Sequence, residues 1–131
     1  MKGFGLKQGA IASSISPDIH QIVVVGVENQ DIATAVNRLL ELQGGIVICA
    51  DGKIVAELSL PVGGLMSPKA YEEVINDLDR LSEAAKAIGC DLPSPFMTLA
   101  FAACPTLTVL KLSDQGLTDI CAGKLVPLEV I

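Results

Sequence analysis

Asp18 and His20 are the two side chains whose types and spacing could do acid–base chemistry. Two residues apart in an extended segment, they point the same way. A carboxylate that orients an imidazole is a common arrangement for moving protons near neutral pH. The other reading is a surface loop at the entrance to a strand. Ser13 and Ser14, just upstream, could donate hydrogen bonds to a ligand, or could end a strand by bonding the local backbone. Neither serine lies in a Gly-x-Ser-x-Gly turn, so serine-hydrolase chemistry has no support. His20 is the sole histidine. One imidazole cannot supply an HxH pair and further histidine ligands, which excludes a complete metal-dependent hydrolase centre from this chain.

Other motifs are weaker. Gly26 to Asn29 has the strand-to-helix position of a phosphate-binding turn, but it lacks the G-x-G-x-x-G pattern and Glu28 would repel an anion. Gly64, Leu65, Met66 and Ser67 form a glycine-led loop that could be a lid or an interface, or a plain connection. Cys49, Cys90, Cys104 and Cys121 form no CxxC pair, so a zinc knuckle is poorly supported. Cys49 and Cys104 sit in apolar stretches and read as small core residues.

The elements that must position these residues follow from periodicity. Gly9 to Ser14 reads as a short strand, broken at Ser16-Pro17-Asp18. Gln21 to Gly26 is a continuous apolar run, the mark of a strand buried on both faces. Ile32, Val36, Leu39 and Leu40 have helical spacing, with Asn29 or Glu28 as the cap and Gln43-Gly44-Gly45 as the stop. Ile46 to Ala50 and Lys53 to Leu58 flank Asp51-Gly52, the strongest hairpin signal in the chain. Ser67-Pro68 reads as the start of a long helix running to about Ile88, with Val74, Leu78, Leu81, Ala85 and Ile88 on one stripe and Gly89 as its stop. Phe96 to Ala103 fits a short helix or a strand. Thr106 to Leu112 looks β-rich, and Leu125 to Val130 could pair at a sheet edge, where Pro127 is tolerated. The expectation is one α/β domain, α+β-like, over residues 1–131. It has a mixed β-sheet, one β-hairpin and two main helices packed on one face of the sheet.

Composition bounds the function. Half of the 131 residues are hydrophobic and only 3% are aromatic, with no Trp. The core must therefore be built from Val, Ile, Leu and Ala. The net charge of −6, with nine scattered basic residues, argues against a nucleic-acid partner. No apolar run reaches the roughly 18 residues of a membrane span, and Met1 to Gly5 lacks the apolar stretch of a signal peptide. No membrane partner and a cytoplasmic location are the expectations.

Several segments, in order, resemble one family. Lys2-Gly3-Phe4-Gly5-Leu6-Lys7-Gln8-Gly9-Ala10-Ile11-Ala12-Ser13-Ser14 is similar to a stretch in the C-terminal part of bacterial and archaeal adenine deaminases of the amidohydrolase superfamily. So are Ile22-Val23-Val24-Val25-Gly26, Ala35-Val36-Asn37-Arg38 and Leu60-Pro61-Val62-Gly63-Gly64-Leu65-Met66-Ser67. Pro95 to Phe101, Leu110 to Leu117 and Val126-Pro127-Leu128 complete the series. Where the family tends to read His-Asp-Ser-His-Asn, this chain reads Pro17-Asp18-Ile19-His20-Gln21, keeping the residue type at Asp18 and His20.

The resemblance implies a family reaction, hydrolysis of adenine to hypoxanthine and ammonia by a metal-activated hydroxide. It also implies that the divalent metal (manganese, iron or zinc) and its ligands belong to an N-terminal barrel that this chain does not match. The chain is then expected to hold no catalytic residue and no metal. It would pack on a barrel in cis or in trans, as a separate or an excised chain. Asp18 and His20, with Ser13 and Ser14, are the substrate-pocket candidates. Gly64 to Ser67 are the interface candidates. The alternative is a free-standing module that binds a purine or related small molecule and forms a homo-oligomer.

Overall fold

The structure, a computed structural model, describes residues 3–17, 21–104, 109–113 and 115–129. Asp18 and His20 lie outside the described residues. The elements run β1 (Ala10–Ser13), β2 (Val23–Gly26), α1 (Asn29–Glu41), β3 (Gly45–Ala50), β4 (Lys53–Ser59), α2 (Tyr71–Ala87), α3 (Pro95–Ala102), β5 (Leu110–Ser113), β6 (Gly116–Asp119) and β7 (Lys124–Leu125).

Four strands form the main sheet in the order β2-β1-β3-β4. Every described pairing is antiparallel, not mixed as the sequence led us to expect. The reason is topological. The unit β2–α1–β3 is a crossover between strands of the same direction, but β1 lies between them and runs the other way. The apolar run at β2, read as a strand buried on both faces, is instead a half-buried edge strand, because β1 alone among the described strands pairs with it. β1 and β3 are buried along their whole length.

Side-chain alternation sorts residues onto two faces. Ile11, Ile46 and Ile48 point to one face, where Leu81 and Ala85 of α2, Ile88 at its C-cap and Leu99 of α3 cover them. Ala10, Ala12, Val47 and Cys49 point to the other, under Ala35 and Leu39 of α1. The two main helices thus pack on opposite faces, correcting the one-face expectation. Each helix has its own apolar stripe, and a sheet buried on both sides needs two covers.

Both helices end in the same way. After α1, Gln43 takes a left-handed φ of 60° and donates its N–H to Leu40 O, while Gly44 donates to Leu39 O. After α2, Gly89 donates to Lys86 O and Cys90 to Ala85 O. These paired bonds satisfy carbonyls that the last helical turn leaves open. The start of α2 differs from expectation. Ser67 Oγ accepts the N–H of Lys69 in a local turn, and the helix begins only at Tyr71, with Ala70 as its cap and the Glu73 carboxylate accepting the Ala70 N–H. Ser67-Pro68 spends its capping chemistry one turn too early.

The Asp51-Gly52 hairpin forms as read, with φ of 52° and 71° at the two turn residues. A bulge follows on β4: Ile48 pairs with Ala56 and Cys49 with Ile54, leaving Val55 as the extra residue. Phe96 to Ala103 resolves as helix, with Pro95 at its first position and Leu99 and Ala100 buried. The C-terminal strands form a separate three-stranded sheet, β5-β6-β7, rather than an edge of the main one. Of the β-rich stretch Thr106 to Leu112, residues 106–108 lie outside the described residues, and the strand begins at Leu110.

Candidate functional site

One end of the main sheet gathers most of the described candidates. β1 leaves the sheet at Ser13, opposite both Val23 of β2 and Ile46 of β3. This is also where α1 finishes and the loop after β4 returns. Ser13 is fully buried and its Oγ accepts the N–H of Ile15 at 3.0 Å. Ser14 does more. Its Oγ donates to Gly64 O at 2.5 Å and accepts the Gly45 N–H at 2.8 Å. Its own N–H goes to Gly45 O at 3.0 Å. Both hydroxyls are thus engaged with backbone, locally at Ser13 and across 31 and 50 residues at Ser14. Ser16 is also buried, and its Oγ has no partner among the described residues.

The Ser14 node works because no side chain intervenes. A Cβ on Gly44 would lie 2.4 Å from the Cα of Gly64, and one on Gly45 would lie 2.0 Å from Leu58 O. The two glycine pairs, each readable as a turn, are in fact partners in one close backbone contact. Leu60 N–H to Gly44 O at 2.9 Å closes the seam.

Beyond the seam the loop turns sharply. Val62 and Met66 exchange backbone bonds at 3.2 and 3.1 Å, and Leu65 N–H also reaches Val62 O. Leu65 is 46% exposed and Met66 61%. Gly64 and Ser67 are half-buried. Next to them a hollow of about 340 Å³ opens between Ser14, Ile22, Leu39, Leu40, Gly44 and Gly64. Leu40, read from the sequence as part of the α1 core stripe, is 60% exposed and faces outward at this rim.

A larger groove of about 990 Å³ lies along β4 between α1 and α2. Its charges are mostly paired. Arg38 meets the Glu57 carboxylate at 2.7 and 2.8 Å and Glu41 at 2.9 Å. Lys69 meets Asp77 at 2.5 Å, and Arg80 approaches the other Asp77 oxygen at 3.9 Å. Hydrogen bonding to Glu57, then Glu41, raises the Arg38 guanidinium further above its ordinary value. The same bond holds Glu57 below the usual carboxylate range, against the opposing effect of burial. This is a structural clamp from α1 to β4 between residues 19 apart, a pairing that no local pattern signals.

The described cysteines behave as core. Cys49, Cys90 and Cys104 are buried and Cys121 is exposed, none in a disulfide. Burial and then the hydrogen bond to Asp31 push the Cys49 thiol up to about 11, so it is no nucleophile near neutral pH. At the strand-to-helix turn, Val27 N–H is spent on Gly9 O, and Glu28 caps α1 without a side-chain bond. Among the described residues there is no group of three or more His, Cys, Asp or Glu able to hold a metal. No helix among them is long and apolar enough to cross a membrane. The described part of this sheet end can bind, shape and position, and it holds no acid–base pair.

Comparison with known proteins gives the arrangement its context. Residues 1–124 match the family model of the adenine deaminase C-terminal domain. The chain is 49% identical over 120 residues to an adenine deaminase of Methylobacterium nodulans, covering 92% of this chain and 21% of that protein. It is 47% identical over 129 residues to an adenine deaminase of Dehalococcoides mccartyi, covering 98% and 23%. It is 52% identical over 118 residues to one from Brucella abortus, covering 90% and 20%. The chain therefore spans about a fifth of the length of these curated relatives. An α+β domain with two glycine pairs locked by a serine, matched along nearly all its length, belongs to the adenine deaminase C-terminal domain family.

Proposed function

We propose that this chain serves as the non-catalytic C-terminal domain or subunit of an adenine-deaminating enzyme, packing on a metal-dependent barrel in cis or in trans. The observation that carries this reading is coverage. The chain matches adenine deaminases closely, but over only about a fifth of their length. A divalent metal, manganese, iron or zinc, would be held by the barrel and would supply the activated hydroxide there. No step is assigned to a metal on this chain, because the donor set among the described residues does not fit one.

The role of this chain is then to shape the substrate pocket from outside. Ser13 and Ser14 hold the end of β1 against β3 and the Gly64 loop. They thereby fix the point from which the segment bearing Asp18 and His20 departs. In this reading Asp18 and His20 face the pocket and help to close it. The hollow beside Ser14 offers little to a purine, since the Ser14 hydroxyl is already committed to backbone.

The test has two arms. Purified chain with manganese, iron or zinc is assayed for adenine turnover, and no activity is expected. Turnover of about 1 per second or more, an ordinary enzymatic rate, would overturn the reading. In the second arm the chain is joined to the remaining four-fifths of an adenine deaminase, and Asp18→Asn and His20→Gln are compared with the parent. A fall in kcat/KM is expected. Unchanged kinetics in both variants would remove these residues from the pocket.

A further inference from the structure

The exposed apolar groups of this chain are not evenly spread in character. On α3 and around the C-terminal sheet, Met97, Phe101, Val109, Leu110, Leu125 and Leu128 are exposed; α3 carries no charge, while Lys111, Asp119 and Lys124 lie on the strands. The β4 groove is rich in charge. The sheet end around the Ser14 node is a second apolar surface. Ile22, Leu40, Val62, Leu65 and Met66 are all more than a third exposed, and from Leu60 to Pro68 the sequence holds no ionisable residue. Charge depletion with exposed leucine and methionine is the composition of an interface core, not of a solvated surface.

Geometry adds a second argument. The loop that presents Leu65 and Met66 is fixed in advance. Ser14 Oγ holds Gly64 O, Gly44 lies against Gly64, and Val62 and Met66 exchange backbone bonds. A preorganised loop loses little conformational entropy when it is covered. The hollow beside it can receive an apolar side chain from a partner.

We infer that this face, centred on Leu65 and Met66 with Ile22, Leu40 and Val62 around them, is the surface that docks on the catalytic portion of the adenine deaminase polypeptide. The occupant follows from length. The relatives carry about four-fifths of their chain outside the segment matched here. A body of that size is the partner available to cover an uncharged patch on this one. The inference rests on the proposed function and adds to it the location of the contact.

Two methionines, Met66 at 61% exposure and Met97 at 56%, serve as built-in probes on different surfaces. Oxidation by dilute peroxide is followed by mass spectrometry in two proteins. One is this chain alone. The other is the chain joined to the remaining four-fifths of an adenine deaminase, in place of the matching segment. Docking as inferred slows Met66 oxidation about fivefold or more in the long protein, as burial in an interface core requires. Protection of both methionines also supports it, with a footprint extending to α3. Protection of Met97 alone would overturn the inference and leave the packing reading intact. Equal rates at both methionines in the two proteins would overturn both.

Discussion

The Asp31 carboxylate accepts the Gly52 backbone N–H at 2.7 Å and lies 3.5 Å from the Cys49 thiol, joining the first turn of α1 to the tip of the β3–β4 hairpin. Asp31 is 4% exposed while Gly52 is exposed, so the bond joins a buried carboxylate to a solvent-facing turn. Asp31→Ala leaves both donors without this acceptor, and the expected cost is about 1–3 kcal/mol. Urea denaturation of the full chain measures it. Asp31→Asn keeps one carbonyl oxygen and should lose less. A difference near zero for the alanine variant would show that the hairpin tip finds water instead.

Cysteine reactivity follows from burial first and from the Asp31 contact second. With its thiol pushed up to about 11, Cys49 holds roughly one thiolate in a thousand at pH 8. Iodoacetamide at that pH should label exposed Cys121 first, leaving Cys49, Cys90 and Cys104 until the chain opens. Peptide mass spectrometry over time separates the four. Labelling of Cys49 as fast as Cys121 in folded protein would contradict this packing.

Acid should weaken the clamp between α1 and β4. Glu57 is held below its ordinary value of 4.5 by hydrogen bonding to Arg38. A depressed carboxylate stabilises the fold above its unfolded pKa, and that contribution is lost as pH falls through the folded value. The parent should therefore lose its advantage over Glu57→Gln as pH drops below about 4.5, with the two stability curves converging in acid. Thermal melts from pH 3 to 7 would show this. Parallel curves would mean the pair contributes nothing that titrates, as exposed ion pairs sometimes do.

Two glycines separate space from strain. Both Gly45 and Gly52 have positive φ, 144° and 71°. A Cβ on Gly45 meets Leu58 O at 2.0 Å, whereas one on Gly52 meets nothing within 4 Å. Gly52→Ala should cost about 1 kcal/mol, the backbone penalty alone. Gly45→Ala must push β4 away from β3 and should cost more than about 4 kcal/mol, the range of severe core defects. Comparable melting temperatures for the two variants would refute the close contact.

Much of the architecture is legible in particular residues. Asp51-Gly52 specifies its hairpin because both positions tolerate left-handed backbone. The stripes of α1 and α2 are set by helical spacing, and their stops by Gln43-Gly44 and Gly89. Ser67-Pro68 misled because a serine–proline pair satisfies a local turn as well as a helix cap, and only the chain's path decides between them. Leu40 misled because a stripe broad enough to include it is wider than the surface α1 buries. At the candidate site, the glycine pairs and serines were visible singly. That Ser14 binds Gly45 and Gly64 was not, because contacts across 31 and 50 residues leave no local pattern.

The family, the α+β class and the hairpin were legible before any fold was known. These rest on local spacing, on residue types and on an ordered series of matched segments. The entry of β1 between β2 and β3, which makes the sheet antiparallel, emerged from the folded chain alone. The same holds for the opposite faces taken by the two helices, and for the meeting of Arg38 with Glu57 and of Asp31 with Gly52. The physical reason is that strand order and long-range pairing are chosen by burial of the whole chain at once. An apolar run reports that a segment is buried, and not which neighbour buries it.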